Sequence, residues 1–226
     1  MVTGPGRTSL YDAARDLHYV KPTLRGWSHL LWFAASLVAG TLLIISAKDA
    51  TETAAAAIYA GTVSGLFGIS ALYHRGNWSP PIRAVLQRVD HAMIFFLIAG
   101  TATPAFLLSA PASYGRIGLA AMWALTLTLT AIHLAWMRAP EKLVGTTFIG
   151  LGVLAGVALP SVWVNSGVVA AALMLAGGLF YLAGALAYHR RRPDPAPTVF
   201  GYHEVFHACV CAAAACHYIA IALFIL

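Results

Sequence analysis

Two histidines near the end of the chain have a spacing that suits a metal site. The stretch Gly201–His207 reads GYHEVFH and contains the pattern H-E-x-x-H, in which His203 and His207 are four residues apart. On a helix this spacing is about 40° of rotation and about 6 Å of rise, so both imidazoles can reach one ion. Soluble zinc proteases use the same pattern, with the glutamate as general base. The alternatives are a metal site inside a membrane and two packed histidines without a metal.

The composition indicates which class of protein surrounds this motif. Hydrophobic residues make up 60% of the 226 positions, charged residues make up 10%, and the mean hydropathy is +0.76. A water-soluble chain carries about 25% charged residues, and uncharged apolar stretches of about 18 residues or more are typical of membrane-spanning helices. The sequence therefore predicts an all-α integral membrane protein.

Seven apolar stretches predict a bundle of seven transmembrane helices. They run approximately over Trp27–Ala47, Thr53–Tyr73, His91–Leu108, Ile117–Met137, Leu143–Leu159, Val168–Tyr188 and His203–Leu226. The segments between them are short and rich in turn-forming residues. The chain therefore divides into an N-terminal segment (1–26), with a short surface helix expected around Leu10 to Leu17, and a transmembrane domain (27–226).

The distribution of lysine and arginine predicts the orientation in the membrane. Counted over alternate loops, the side of the N-terminal segment carries twelve of these residues, and the other side carries only Lys48 and Arg116. Cytoplasmic loops carry the excess of positive charge, so the N-terminus is predicted to be cytoplasmic and the C-terminus to lie outside. We expect a multi-pass protein of the plasma membrane, which is the cell inner membrane in a bacterium. Orientation and lipid contact account for the net charge of +6, so no nucleic-acid partner is expected.

This topology brings polar residues of three spans to the same end of the bundle. Ser70 and His74 end the second span, Asp90 opens the third, and His203 and His207 open the seventh. Ionisable residues within spans are costly and are functional candidates by default. Three neutral imidazoles with water in the fourth position form a catalytic zinc site. Asp90 would accept the proton of that water, and Ser70 would hydrogen-bond to the water or to the carboxylate.

Packing without a metal is the alternative for any histidine taken alone. The histidines outside this group, which are interpreted as packed or interfacial, are His29, His91, His133, His189 and His217. The three cysteines of the last span are interpreted as small buried residues rather than as disulfides or metal ligands. The pattern H-E-x-x-H also has chance matches. The convergence of three histidines and a carboxylate on one leaflet is what favours a metal.

The polar segments of this chain resemble those of the progestin and adipoQ receptor superfamily, and within it those of the bacterial hemolysin III, or membrane homeostasis, branch. The resemblance extends over the whole chain. The segments that carry it are Lys21–Gly26 (KPTLRG), Ser70–His74 (SALYH), Arg88–Ile94 (RVDHAMI), Ile98–Pro104 (IAGTATP) and His203–His207 (HEVFH).

The resemblance implies a seven-helix fold with a cytoplasmic N-terminus and a zinc ion. In the related adiponectin receptors three histidines near the cytoplasmic face bind zinc, and they correspond to His74, His203 and His207 here. The aspartate beside the zinc-bound water corresponds to Asp90, and the motif serine corresponds to Ser70. Those receptors are associated with ceramidase activity, and the bacterial members with membrane fluidity and, by name, with haemolysis.

The resemblance also bears on Glu204. Adiponectin-type members carry a non-acidic residue such as glutamine at this position, so the resemblance favours Asp90 over Glu204 as the base. Glu204 is kept as a secondary candidate for the base, and the alternative is an ion pair with Arg190, Arg191 or Arg192 at the inner surface.

Together, the residues and the resemblance predict a zinc-dependent hydrolase at the cytoplasmic leaflet. The resemblance implies that its substrates are lipid amides or esters, ceramide-like or otherwise acylated, and that it contributes to membrane lipid homeostasis. Its partners are membrane lipids. A membrane sensor or receptor with a structural zinc is the second hypothesis. A pore-forming cytolysin is the third, and it is disfavoured because the spans carry no continuous charged stripe to line a pore.

Overall fold

The computed structural model describes residues 9–12, 17–136 and 139–226. Within these residues, seven helical crossings are long and apolar enough to span a bilayer. This confirms the predicted seven-span membrane bundle.

The helices follow one another with short connections. Their bounds are α1 Trp27–Ser46, α2 Ala50–Arg75, α3 Pro80–Pro104, α4 Ala112–Ala135, α5 Glu141–Gly156, α6 Leu159–Ser166, α7 Val168–Arg190 and α8 Tyr202–Ala220. Short π-helical segments extend α3 over Ala105–Ser109 and α8 over Ile221–Ile225. Helices α5 and α6 together make the fifth crossing, Lys142–Ser166.

The third and fifth crossings extend furthest beyond the apolar stretches that predicted them. The third begins at Pro80 rather than at His91, because two prolines occupy the first helical positions, where a missing N–H costs nothing. The arginines of its first turns hide this start from a hydropathy pattern. The fifth crossing continues past Leu159 through α6, which carries a proline in its first turn.

The N-terminal segment differs from the expectation. Ser9–Asp12 and Leu17–Val20 form two antiparallel strands, β1 and β2, so the surface helix expected around Leu10 to Leu17 is wrong for these residues. Residues 13–16 lie outside the described part of the chain. Tyr11 of β1 and Tyr19 and Val20 of β2 are of residue types that favour extended backbone.

The centre of the bundle is formed by α2, α3 and α8, which are the most buried crossings among the described residues. The other crossings present many large apolar side chains outward, for example Leu31 of α1, Val164 of α6 and Leu179 of α7. Outward apolar side chains are what a lipid-facing surface requires. The three central helices are the ones that carry the predicted polar residues.

Helices α2 and α3 approach each other closely at Gly100. A Cβ at this position would overlap the hydroxyl of Thr62 on α2. In lipid the hydrophobic effect does not drive helices together, so close van der Waals packing at small residues carries much of their association. The contact at Gly100 therefore helps to hold α3, and with it Asp90, against α2.

We expect Gly100→Ala to destabilise the bundle by about 1–3 kcal/mol, because an added methyl group overpacks this contact. Thermal unfolding of the purified protein in detergent measures the change. Gly61→Ala on the exposed side of α2 is the matched control, because its Cβ would meet nothing within 4 Å and alanine is the better helix former. Equal unfolding temperatures for the two variants would contradict the proposed role of Gly100.

Candidate metal centre

Three histidines meet at one end of the bundle. His74 lies in the last turn of α2, and His203 and His207 lie in the first two turns of α8. One ring nitrogen of each lies within 4.8 Å of the other two. His74 and His207 are buried, and His203 is half-buried. The three side chains that the sequence grouped together are therefore adjacent in space.

The spacing of these nitrogens suits a tetrahedral ion. The Nε2 atoms of His74 and His203 are 3.3 Å apart. Two nitrogens bound to one tetrahedral zinc ion at about 2.0–2.1 Å would be about 3.3–3.4 Å apart. The Nδ1 atom of His207 is buried without a hydrogen-bond partner among the described residues. Hydrogen bonds between these residues therefore do not satisfy every ring nitrogen of the triad. The triad could bind a metal ion.

Asp90 and Ser70 lie beside the triad. The Oδ2 atom of Asp90 is 3.8 Å from Nε2 of His74, and the Ser70 side chain hydrogen-bonds to Asp90. Ser70 is one helical turn before His74 on α2, while Asp90 comes from α3. The structure thus brings together all five side chains that the sequence selected. Of the two partners predicted for Ser70, the metal-bound water and the Asp90 carboxylate, the structure shows the carboxylate.

Gly26 sets the approach of the chain to His74. Its backbone has φ +77°, and a Cβ here would lie 2.9 Å from Cβ of His74. Glycine is favoured at this position by its left-handed conformation and by the lack of space. Helix α1 can therefore begin in direct contact with the last turn of α2.

Glu204 is engaged by two donors outside the triad. Nε of Arg25 donates to Oε1, and the N–H of Gly201 donates to Oε2 at 2.8 Å. The predicted pairing of Glu204 with the arginine cluster 190–192 is wrong. Those three arginines are exposed, whereas Arg25 reaches Glu204 from the segment before α1, a proximity that 179 residues of separation conceal in the sequence.

His29, interpreted from the sequence as a packed or interfacial residue, belongs to the same cluster. Its ring is 2% exposed and stacks on His207, with centroids 3.7 Å apart and planes 11° apart. Neither of its ring nitrogens has a hydrogen-bond partner among the described residues. The direction of the helices could have predicted this position. Because α1 starts at the same end of the bundle as α3 and α8, a histidine in its first turn lies at the depth of the triad.

The other histidines lie apart from the triad. His91 and His133 face each other between α3 and α4, with ring centroids 5.9 Å apart. His217 lies deeper in the bundle, with its Nε2 atom 3.0 Å from the carbonyl oxygen of Met174. His189 is exposed near the end of α7.

Positive charge gathers next to the triad. Nζ of Lys21 donates to the carbonyl oxygen of Arg75 at 3.1 Å, and the Arg75 guanidinium lies 3.7 Å above the ring of Trp27. Burial, followed by repulsion from Arg83, Arg25 and Arg75, lowers the pKa of Lys21. The local field at this end of the bundle therefore favours anionic groups.

The fold and the site define a class: a polytopic seven-helix membrane protein with a histidine triad, an aspartate and a serine gathered at one end of the bundle. The chain matches the model of the family described as "Haemolysin-III related" over residues 17–218. It therefore belongs to the haemolysin-III-related family, a branch of the progestin and adipoQ receptor superfamily, which confirms the resemblance drawn from its motifs. It is similar to Hemolysin-3 of Bacillus cereus, with 30% identity over 149 residues that cover 65% of this chain and 68% of that protein.

Metal binding by the triad predicts that replacing any one of its histidines by alanine removes the ion, because losing a ligand costs more than the about 10–100-fold that losing an outer-shell partner costs. Elemental analysis of His74→Ala, His203→Ala and His207→Ala against the wild type measures this, with helicity checked by circular dichroism. His189→Ala, an exposed histidine near the same end, is the matched control and should keep the wild-type metal content. A folded triad variant with stoichiometric metal would count against the site.

Proposed function

We propose that the protein is a zinc-dependent hydrolase that cleaves amide or ester bonds of membrane lipids and contributes to lipid homeostasis. The arrangement that carries this proposal is the triad with the Asp90 carboxylate 3.8 Å from His74. Imidazole nitrogens in a three-ligand set are typical of catalytic zinc, which keeps a fourth position open for water or substrate. Membership of the haemolysin-III-related family agrees with a membrane role and does not by itself name a reaction.

His74, His203 and His207 would hold the ion. When bound, zinc supplies Lewis acidity, which polarises an acyl carbonyl and makes water a better nucleophile near neutral pH. Asp90 is the group of this chain that can accept the proton lost by the water and return it to the leaving nitrogen or oxygen. The hydrogen bond from Ser70 orients that carboxylate. A C–O bond to the water oxygen forms, and the C–N or C–O bond of the leaving group breaks.

A cavity in the outer wall of the bundle supports an acyl-lipid substrate. It has a volume of about 270 Å³ and opens in part onto the lateral surface of the bundle, between α1, α2 and α8. Residues that line it include Trp32, Ser36, Tyr59, Val63, Ala214 and Tyr218. Trp32 is three residues, or about 4.5 Å of helix, beyond His29. A lipid whose carbonyl reaches the triad could therefore place a hydrocarbon chain in this cavity.

We infer the orientation from charge alone. The twelve-to-two distribution of lysine and arginine favours a cytoplasmic N-terminus and an external C-terminus. The triad would then lie at the inner leaflet of the plasma membrane, at the depth where the acyl carbonyls of lipids meet the headgroups.

A sensor or receptor with a structural metal is the second candidate. The observation that favours it is burial: His74 is 7% exposed and His207 2% exposed, as expected for a closed site. In that case the ion would stabilise the packing of α2 against α8, and the bilayer would act on the arrangement of the helices.

Asp90→Asn is expected to keep the metal and to lose turnover by about 10²–10⁴-fold, the usual contribution of a general acid–base group. Release of fatty acid from a panel of lipid amides and esters by the metal-loaded protein measures turnover. Glu52→Gln, at the opposite end of α2, is the control and should be fully active. Full activity of Asp90→Asn would rule out this mechanism, and a wild type that hydrolyses no lipid while retaining the ion would favour the structural alternative.

Ser70→Ala is expected to slow turnover by about 10–100-fold with unchanged metal content, because the carboxylate loses the group that orients it. The same fatty-acid assay with elemental analysis measures both quantities. Ser109→Ala, which removes a buried hydroxyl that bonds to Ser166 at the opposite end of the bundle, is the matched control. A loss of metal in Ser70→Ala would show that Ser70 supports the ligands rather than Asp90.

A further inference from the structure

We propose that Arg25 and Glu204 form a positioning pair that fixes the three histidines relative to one another, and that Glu204 is not the base of its H-E-x-x-H motif. This inference rests on the metal site of the proposed function and is independent of the reaction. It assigns a role to two features that the mechanism leaves unused, the glutamate of the motif and the segment Lys21–Gly26.

The segment Lys21–Gly26, here termed the strap, joins separate parts of the site. It is tied to the end of α2 and to the loop that leads into α8. The contacts are Lys21 Nζ to Arg75 O, Thr23 N to Thr198 O and Leu24 N to Val199 O, each at 3.1 Å. The strap therefore spans from the helix that carries His74 to the helix that carries the other two histidines.

The Glu204 carboxylate is committed to structural partners at both oxygens. Its side chain is 3% exposed, and that of Arg25 is 11% exposed. A carboxylate buried to this degree is costly unless it is paired and hydrogen-bonded. Arg25 supplies the charge, and the N–H of Gly201 supplies the second bond. The bond to Gly201 is half of a capping box, in which a glutamate in the first helical turn bonds back to the residue before the helix.

These contacts act on the ligands through the backbone. Glu204 directly follows His203 and lies three residues before His207, so fixing the first turn of α8 fixes both. Arg25 directly precedes Gly26, whose backbone packs against His74. One ion pair thus links the elements that carry all three ligands. In a soluble zinc protease the same glutamate faces the water, whereas here the strap holds it.

A double-mutant cycle tests the pair. The variants are Arg25→Gln, Glu204→Gln and the combination, and glutamine at 204 keeps an acceptor for the N–H of Gly201. Metal affinity is measured by competition with a chelator, and ligand geometry by the absorption spectrum of the cobalt-substituted protein. We expect each single variant to bind about 10–100-fold more weakly, as for other groups that orient metal ligands. The combined variant should be no weaker than the weaker single variant, because one interaction is lost in all three.

Arg190→Gln, an exposed cation at the same end of the bundle, is the matched control and should bind as the wild type does. Losses that multiply in the combined variant would overturn the proposal, since Glu204 would then act on the metal independently of Arg25. Unchanged affinity in both single variants would overturn it equally.

Arg25→Lys keeps the experiment decisive if Arg25→Gln does not fold. Lysine keeps the charge but lacks the guanidinium fork, so we expect it to recover most of the affinity and the wild-type cobalt spectrum. Loss of the ion in Arg25→Lys, with helicity retained and Arg190→Gln unaffected, would contradict a role through charge pairing. Because the readout is metal binding, a protein that holds the ion but hydrolyses no lipid still tests the pair.

Discussion

The cost of placing polar side chains within a bilayer is the constraint on which the rest of this structure depends. Backbone groups satisfy themselves within helices, but an imidazole or a carboxylate at membrane depth needs a partner. His74, His203 and Asp90 contact one another, and His29 and His207 are buried as a stacked pair. Among the described residues, both ring nitrogens of His29 and Nδ1 of His207 have no hydrogen-bond partner. A bound ion is the partner that would satisfy the triad best, and this is why we propose a metal centre here rather than packing alone.

The architecture follows from gathering these groups at one end of the bundle. Helices α2, α3 and α8 form the centre, and the remaining crossings shield them from lipid. The close contact at Gly100 and the positive φ of Gly26 serve the same arrangement, because each brings a residue of the site against α2. The close packing at these two glycines therefore also determines where the residues of the site lie.

The motif H-E-x-x-H shows how surroundings decide the role of a pattern. Helical spacing alone makes His203 and His207 able to share an ion. The same spacing leaves the role of Glu204 open, since a carboxylate at the start of a helix can act as a base, a cap or half of an ion pair. Arg25 and the N–H of Gly201 engage both of its oxygens, which leaves Asp90 as the carboxylate beside the triad.

The sequence by itself determined the membrane class, the seven crossings and the group of Ser70, His74, Asp90, His203 and His207, because hydropathy and helix direction place residues at a depth whatever the packing. Only the tertiary structure decided which partners those residues take: the stacking of His29 on His207, the pairing of Arg25 with Glu204, and the two strands at the N-terminus. The reason is physical. Depth along the membrane normal is set by local composition, whereas lateral neighbours depend on how the helices rotate and pack, and on chain segments that lie more than a hundred residues apart.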